Sequence, residues 1–181
     1  CFHIKNNSFE HLQKYSKLLK SNNISKAFIY FDNQSKLKDL VEFKKNCDHF
    51  NNLIPVAYLT KIDNFKEEIN YIRQNNYKFI KIHPRWLQVR ISNKKFYEQL
   101  FNFLKKTDLT ILWCSFDSLE IRSNEIIQIN FLSKLFNLAP NNKKIIMHGG
   151  GVNILKFYEM FRFIENTYID LSYTMEHYLE T

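Results

Sequence analysis

A histidine followed by three glycines is the stretch of this sequence best suited to chemistry. Gly149, Gly150 and Gly151 are the only glycines among the 181 residues, and His148 directly precedes them. An apolar run at 145–147 predicts a buried strand before the histidine, and a helical pattern follows the glycines. Parallel α/β folds place their functional groups at the carboxyl ends of strands. We therefore expect His148 to lie at a functional site, with glycine N–H groups facing a ligand.

Three interpretations of this stretch are open. It could be a sharp turn before a helix, with His148 in an ordinary structural role. The sequence HGGG is also an oxyanion-hole signature of some lipases and esterases, but those enzymes need a GxSxG nucleophile, and no glycine follows Gly151. The remaining interpretation is a histidine that binds a metal or a substrate where a barrel strand ends, with Gly149 and Gly150 leaving room for the ligand.

Lys81 and His83 lie on a second strand-like segment, 77–84, which a proline ends. The period of two places these side chains on one face of the strand, and Ile80 and Ile82 on the other. Two ionisable groups on one face of an otherwise buried strand are costly unless they line a site. We expect them to hold an anionic group of a substrate. The alternative is an edge strand from which Lys81 extends into solvent.

Three further polar residues lie on predicted strands. His3 is followed two residues later by Lys5, where an HxH pair would be a strong metal signal. Cys114 could ligate a metal, act as a nucleophile or serve as a small apolar residue. Asp170 could be a base, a metal ligand or a helix cap. The remaining histidines fall on predicted helices and are interpreted as surface residues: His11, His49 and His177.

Strand-like and helix-like segments alternate seven times, at about 20 to 30 residues per unit, which predicts parallel strands covered by helices. A doubly wound open sheet and a (β/α)8 barrel both fit this alternation. A barrel is favoured because it brings all its strand ends to one mouth, and the candidate polar residues lie on several different strands. We predict a single α/β domain, 1–181, of the (β/α)8 TIM-barrel type. It has about seven βα units and is incomplete at its C-terminus.

Local signals give predictions at the level of single elements. Ser8 and Asp63 are expected to cap the helices that follow them. Segment 55–59 is expected to form one strand, and segment 167–172 another.

Composition narrows the class of protein. Hydrophobic residues make up 45% and charged residues 24%, no apolar run reaches the 18 residues of a membrane span, and no signal peptide is visible. Three cysteines without a CxxC pair support neither a disulfide framework nor a zinc ribbon, so a cytoplasmic setting is expected. The net charge of +8 suits an anionic small molecule. The lysines form no single stripe, which argues against a nucleic-acid partner, and homo-oligomer formation stays open.

Four segments together resemble the amidohydrolase superfamily, in particular its amidohydrolase-2 branch of metal-dependent hydrolases and decarboxylases. Segment 2–5, FHIK, looks like a worn form of the HxH motif of strand one. Segment 79–84, FIKIHP, is similar to "gIKlHP" of strand four, and segment 145–150, IIMHGG, to "iilaHlGG" of strand six. Segment 166–172, NTYIDLS, is similar to "NvYvDlS" of strand seven.

The resemblance implies a (β/α)8 barrel with a divalent metal, often zinc. The family's usual ligands are two histidines on strand one, one each on strands five and six, and an aspartate on strand eight. His3 and His148 match this pattern, whereas Lys5 stands where the second histidine belongs. The strand-five position falls at Trp113 or Cys114, and strand eight is not in the chain.

The resemblance therefore implies an amidohydrolase-like, metal-dependent hydrolase or decarboxylase acting on a small, anionic substrate. His148 and Asp170 are the expected catalytic residues, and His3 and His148 the expected metal ligands. The expected substrate-binding residues are Lys81, His83, Gly149 and Gly150. The alternative is a catalytically degenerate, metal-free barrel that serves as a binding or assembly module, which the departures from the family's ligand pattern favour.

Overall fold

The strands that the structure describes are parallel and follow one another in chain order. The computed structural model describes residues 2–4, 6–31, 37–89, 92–115, 125–149 and 154–171. One sheet has the order β1-β2-β3 and the other β4-β5-β6-β7-β8, with every neighbouring pair parallel. Their bounds are β1 Phe2–Ile4, β2 Ala27–Phe31, β3 Leu53–Pro55, β4 Ala57–Tyr58, β5 Phe79–Ile82, β6 Thr110–Cys114, β7 Lys144–Met147 and β8 Thr167–Ile169.

Helices connect most of these strands, as the alternating pattern predicts. Ser8 caps the first helix as predicted, because its Oγ accepts a hydrogen bond from the His11 N–H at 3.4 Å. None of the described helices combines the length and apolarity needed to cross a membrane. The bounds of the helices are α1 Phe9–Ser21, α2 Leu37–Cys47, α3 Phe65–Gln74, α4 Lys94–Leu104, α5 Glu125–Leu138 and α6 Ile154–Phe161.

Two local predictions about helix ends are wrong. The cap position of α3 is Asn64, not Asp63, which belongs to the turn before it. His49 lies in a turn after α2 rather than on a helix, because the chain reverses there and the Phe50 N–H donates to the Cys47 carbonyl oxygen at 2.8 Å.

The strands β3 and β4 are two parts of one extended segment, where the sequence predicted a single strand at 55–59. The segment changes partner at Val56, whose N–H donates to the Ile29 carbonyl oxygen at 3.0 Å. Pro55 has no N–H to contribute to a ladder on the other side, so pairing with β5 begins only at Ala57. The two sheets therefore meet along this segment, with β2 on one side and β5 on the other.

The order of the strands distinguishes the two architectures that the sequence allowed. A doubly wound sheet reverses its strand order at a switch point, whereas a barrel adds each strand beside the previous one. Here the order is sequential throughout, which is the winding of a TIM barrel. Counting β3 and β4 as one strand, seven barrel strands are present among the described residues. No pairing within that part of the chain joins β8 back to β1.

Alternate strand residues pack into two separate layers. The outer layer lies between sheet and helices and includes Ile80, Ile82 and Trp113. The inner layer joins side chains from different strands, so it is the interior of the barrel. Its members are Tyr30, Val56, Leu112 and Met147, with Phe28, Phe79 and Ile145 partly buried against them.

Buried polar side chains also secure the amino ends of the strands. The Asn142 Nδ2 donates to the carbonyl oxygens of Thr107 and Leu109 at 3.0 and 2.9 Å. The Lys144 Nζ donates to the Ala139 carbonyl oxygen at 3.0 Å, and burial lowers the pKa of this lysine. Both side chains serve backbone groups that the turns would otherwise leave buried and unsatisfied. Their role is structural, and the candidate site lies at the opposite ends of the strands.

Candidate functional site

The ammonium group of Lys81 lies inside the barrel between aromatic rings. The residue follows Ile80 on β5 and is 1% exposed. Its Nζ is 4.1 Å from the ring centroid of Tyr30 on β2 and 4.9 Å from that of Trp86. These are cation–π distances, and such contacts strengthen when they are desolvated. Lys81 therefore does not extend into solvent from an edge strand, because β5 lies between β4 and β6.

His83 follows β5 and lies against the same tryptophan. Its ring stacks on Trp86 with centroids 4.2 Å apart and planes 9° from parallel, and the residue is 5% exposed. Lys81 and His83 thus share Trp86 as a neighbour, as expected for residues two apart on a strand. The rings of Tyr58, at the end of β4, and Trp86 make an edge-to-face contact, with their centroids 5.3 Å apart.

A tight turn places Trp86 above the strand end. The Leu87 N–H donates to the His83 carbonyl oxygen at 3.0 Å, and the Val89 N–H donates to that of Pro84 at 3.2 Å. The side chains of Leu87 and Val89 are buried in the outer layer, so the part of the turn that follows the tryptophan is anchored. Sequence reasoning missed Trp86. The available signal was a tryptophan three residues after a histidine, a spacing that a helical turn folds back over its start.

His148 and Asp170 meet where β7 and β8 end. The His148 N–H donates to the Asp170 Oδ2 at 3.4 Å, and the Asp170 N–H donates to the Ile146 carbonyl oxygen at 2.8 Å. His148 has φ 64° and Gly149 has φ 55°, so both adopt the left-handed conformation that glycine tolerates best. A non-glycine residue held there is under backbone strain of the kind found at functional sites. The structure thus brings together the backbone of His148 and the side chain of Asp170, the two predicted catalytic residues.

Tyr30 contacts residues on both β5 and β7 at this end of the barrel. Its hydroxyl donates to the Met147 Sδ at 3.8 Å, while its ring lies beneath the Lys81 ammonium. Burial raises the pKa of Tyr30 well above its usual range, and the electrostatic effects of Cys114 and Asp170 act in the same direction. The phenol therefore stays protonated at neutral pH. Tyr30 was not predicted as a site residue, because an inward tyrosine on a buried strand has the pattern of an ordinary core residue.

Cys114 ends β6 as a buried, reduced cysteine. The next residue, Ser115, donates its hydroxyl hydrogen bond to the Met147 carbonyl oxygen and so joins the ends of β6 and β7. Cys114 is 4% exposed, which is typical of a cysteine that serves as a small buried residue.

The described residues do not form a metal centre. Among them, no group of three or more His, Cys, Asp and Glu side chains could hold an ion. His3 lies on β1, where its backbone is in register with Tyr30, but its side chain lies outside the described part, as do Lys5 and Gly150. His177 also lies outside it. Zinc binding by His3 and His148, and substrate binding by Gly150, therefore stay predictions.

Comparison with known proteins supports the fold at a distance. No family model and no curated protein sequence matches this chain. Among solved structures, an uncharacterised TIM-barrel protein from Bordetella bronchiseptica is 12% identical with a TM-score of 0.69, over 93% of this chain and 60% of that one. An amidohydrolase from Mycobacterium avium subsp. paratuberculosis is 13% identical with a TM-score of 0.50, over 87% of this chain and 58% of that one.

These similarities show an α/β fold of the TIM-barrel kind, distantly like that of an amidohydrolase. The chain spans about 60% of the length of the TIM-barrel protein that it matches. At such identities the shared property is the arrangement of strands and helices, and the activity has to be argued from the site itself.

Substitutions at His148 distinguish the effect of its left-handed backbone on stability from the effect of its side chain. Left-handed φ costs a non-glycine residue about 1–2 kcal/mol, and a glycine loses about 0.4–1 kcal/mol through the greater entropy of the unfolded chain. In urea titrations we expect the free energy of unfolding of His148→Gly to exceed that of His148→Ala by up to about 1.6 kcal/mol. Gly149→Ala is the matched control and should be destabilised. An alanine at position 148 that is more stable than glycine would contradict the left-handed assignment.

Proposed function

We propose that this barrel binds a small anionic molecule at the carboxyl ends of its strands and acts on it as an amidohydrolase-like hydrolase or decarboxylase. The observation that carries the proposal is the placement of Lys81 and His83 together at the end of β5, with the Lys81 ammonium buried among rings. A buried cation at the mouth of a barrel is costly to maintain for packing alone. Perturbed or buried ionisable groups of this kind are common at functional sites.

Lys81 and His83 are proposed to bind the anionic group of the substrate. In a barrel interior the attraction between an ammonium and a carboxylate is less screened than in water, and a charge-assisted hydrogen bond adds to it. His83 contributes a ring nitrogen beside it, and Tyr58 and Trp86 contribute apolar surface. The net charge of +8 favours the approach of an anion from solution.

Asp170 and His148 are proposed to act on the opposite part of the substrate. The Asp170 Oδ2 accepts a hydrogen bond from the backbone N–H of His148, the residue that follows β7. In hydrolysis the carboxylate would take a proton from a water molecule as the oxygen of that water attacks the scissile carbon, and it would give that proton to the leaving oxygen or nitrogen as the scissile bond breaks. Gly149 follows in a left-handed conformation without a side chain, which leaves room beside the reacting group.

A metal is not included in these steps, because the described residues do not supply a set of three ligands. Zinc held by His3 and His148 is a separate part of the proposal, supported by the resemblance of segments 2–5 and 145–150 to the amidohydrolase motifs. Bound there, zinc would supply a water of lowered pKa.

A second candidate function is a metal-free barrel that binds an anionic ligand or assembles with a partner without turnover. The observation that favours it is the replacement of the second histidine of the HxH motif by Lys5. A protonated lysine does not ligate zinc. On this account Lys81 and His83 bind the ligand, and His148 has only its backbone role.

Methionine in place of Lys81 tests the anion site. Lys81→Met keeps an unbranched apolar chain and removes the charge, so binding of formate or acetate measured by calorimetry should weaken at least about tenfold, or 1.4 kcal/mol. Lys78→Met is the matched control, since Lys78 is on the same segment but is exposed and paired with Asp108 at 2.9 Å. Equal weakening in the two variants, or none in Lys81→Met, would contradict the site.

Metal analysis and turnover together separate the two candidate functions. If His3 and His148 hold zinc, about one zinc per chain should remain after gentle purification, and His148→Ala should lose it. If the barrel is a hydrolase, the wild type should hydrolyse small ester or amide carboxylates, and His148→Ala should lose this activity. Anion binding at Lys81 should remain in that variant, because the two strand ends are distinct. No zinc in the wild type, with anion binding intact and no turnover, supports the binding module instead.

A further inference from the structure

The side chain of Glu68 is a buried carboxyl group that the proposed function does not use. Glu68 lies in the first turn of α3 and is 3% exposed. Its Oε1 lies 2.6 Å from the Thr60 Oγ1, and its Oε2 accepts a hydrogen bond from the Lys61 N–H at 2.9 Å. The Thr60 N–H donates to both oxygens at 3.1 Å. One hydroxyl and two N–H groups therefore surround the carboxyl group.

These hydrogen bonds begin where the pairing of β4 with β5 ends. The Leu59 N–H still donates to the Lys81 carbonyl oxygen, at 3.1 Å, as in a parallel ladder. The next two N–H groups along the chain, those of Thr60 and Lys61, donate to Glu68 instead. The carboxyl group thus holds the backbone at the point where the chain leaves the sheet, at the carboxyl end of β4.

Burial and hydrogen bonding act in opposite directions on this group. Burial raises the pKa of Glu68, and it outweighs the hydrogen bonds from Thr60 and Lys61 and the charge of Lys61, which lower the pKa. The charged neighbours of Glu68 in α3, Lys66 and Glu67, are exposed. The folded chain therefore holds a proton on Glu68 more tightly than the unfolded chain does.

The elements beside α3 present uncharged groups or lie near its other end. The helix α4 meets α3 through the ring of Phe96, whose centroid is 5.7 Å from that of Phe65. Lys44 and Lys45 of α2 lie beside residues 74–76, at the C-terminal end of α3. Among the described residues, the charge that acts on Glu68 is that of Lys61.

The Thr60 hydroxyl can serve both protonation states of Glu68, because a hydroxyl both donates and accepts. Beside a carboxylate it donates its hydrogen to Oε1. Beside a protonated carboxyl group it accepts the acid hydrogen from the same oxygen, while Oε2 still accepts the N–H groups of Thr60 and Lys61. The separation of 2.6 Å suits an O–H···O hydrogen bond in either direction. The heavy atoms can therefore stay in place when the proton binds.

We propose that Glu68 and Thr60 form a proton switch in the loop after β4. A proton from solvent binds Oε1, and the hydrogen bond between this oxygen and the Thr60 Oγ1 reverses its direction. With Glu68 ionised, the Thr60 Oγ1 offers its surroundings an acceptor; with Glu68 protonated, it offers a donor. Thr60 is partly exposed, so the change reaches the surface at this end of the barrel. The switch requires no ligand and is independent of the anion proposed at Lys81.

Carbon nuclear magnetic resonance of the carboxyl groups tests proton binding in the wild-type protein. The Glu68 signal, assigned by its loss in Glu68→Gln, should titrate at a higher pH in the folded protein than in the urea-unfolded chain, because burial disfavours the carboxylate. The amide signals of Thr60 and Lys61 should follow the same titration. A folded midpoint at or below the unfolded midpoint would overturn the switch.

Glutamine at position 68 imitates the protonated state. Its amide can donate to the Thr60 Oγ1 while its oxygen accepts the two N–H groups. Stability from the bound proton is fully present below the unfolded pKa of Glu68 and is lost as the pH rises through the higher folded pKa. Glu68→Gln should lack this loss and should be at least as stable as the wild type at neutral pH in urea titrations.

The exposed neighbour supplies the matched control, since Glu67→Gln should keep the wild-type dependence of stability on pH. A folding equilibrium constant of Glu68→Gln that is tenfold or more below that of the wild type at neutral pH, with the wild-type pH dependence, would identify an ordinary carboxylate clamp. That result would overturn the switch.

Valine in place of Thr60 tests the reversal of the hydrogen bond. If the hydroxyl both donates and accepts, Thr60→Val should lower the folding equilibrium constant about tenfold in the wild type and in Glu68→Gln alike, because each loses a buried hydrogen bond. Thr60→Ser keeps the hydroxyl and should stay close to the parent in both backgrounds. A loss confined to the wild-type background would show a hydroxyl that only donates, and the reversal would be overturned.

Discussion

The contact of the Lys81 ammonium with the rings of Tyr30 and Trp86 is the interaction on which the site depends. Removing an ammonium from water costs several kcal/mol unless something replaces its hydration, and a desolvated cation–π contact returns about 2 kcal/mol or more. Tyr30 comes from β2 and Trp86 from the turn after β5, so the cation joins groups that are distant in the sequence. The same contact fixes the ammonium at one depth in the barrel, beneath the strand ends.

The winding of the chain makes this contact possible. Parallel strands added in sequential order turn every carboxyl end to one side, so residues that follow β5, β7 and β8 share one mouth. Left-handed residues at 148 and 149 then turn the chain sharply at the end of β7, and Asp170 accepts the His148 N–H there. The opposite end carries Asn142 and Lys144, whose polar groups bond to backbone carbonyl oxygens. Side chains that stabilise the turns thus lie at the amino ends of the strands, and the residues of the candidate site lie at the carboxyl ends.

Periodicity and order along the chain sufficed to predict the barrel winding, the inward position of Lys81 and the cap at Ser8. These depend on local or repeating features, namely the alternation of faces on a strand and a hydroxyl oxygen three residues before the N–H group that donates to it. The change of partner at Val56 was not predicted, because it depends on the strand that lies beside Pro55. Pro55 pairs with β2 but not with β5, where pairing begins at Ala57. Tyr30 was missed because its role exists only through a contact with a lysine far along the chain. Trp86 was missed because its contact with Lys81 depends on the turn at 83–89, which folds the indole back towards β5. The roles predicted for His3 and Gly150 fall outside the described residues.

Nuclear magnetic resonance of the lysine side chains tests the central claim most directly. Protons held over aromatic faces shift upfield, so the ε-methylene signals of Lys81, assigned by their loss in Lys81→Met, should lie well upfield of those of exposed Lys78. They should move when formate is added, because the proposed site brings the anion next to the ammonium. Lys81 signals that coincide with those of Lys78 in the ligand-free protein would contradict the buried cation and the site built around it.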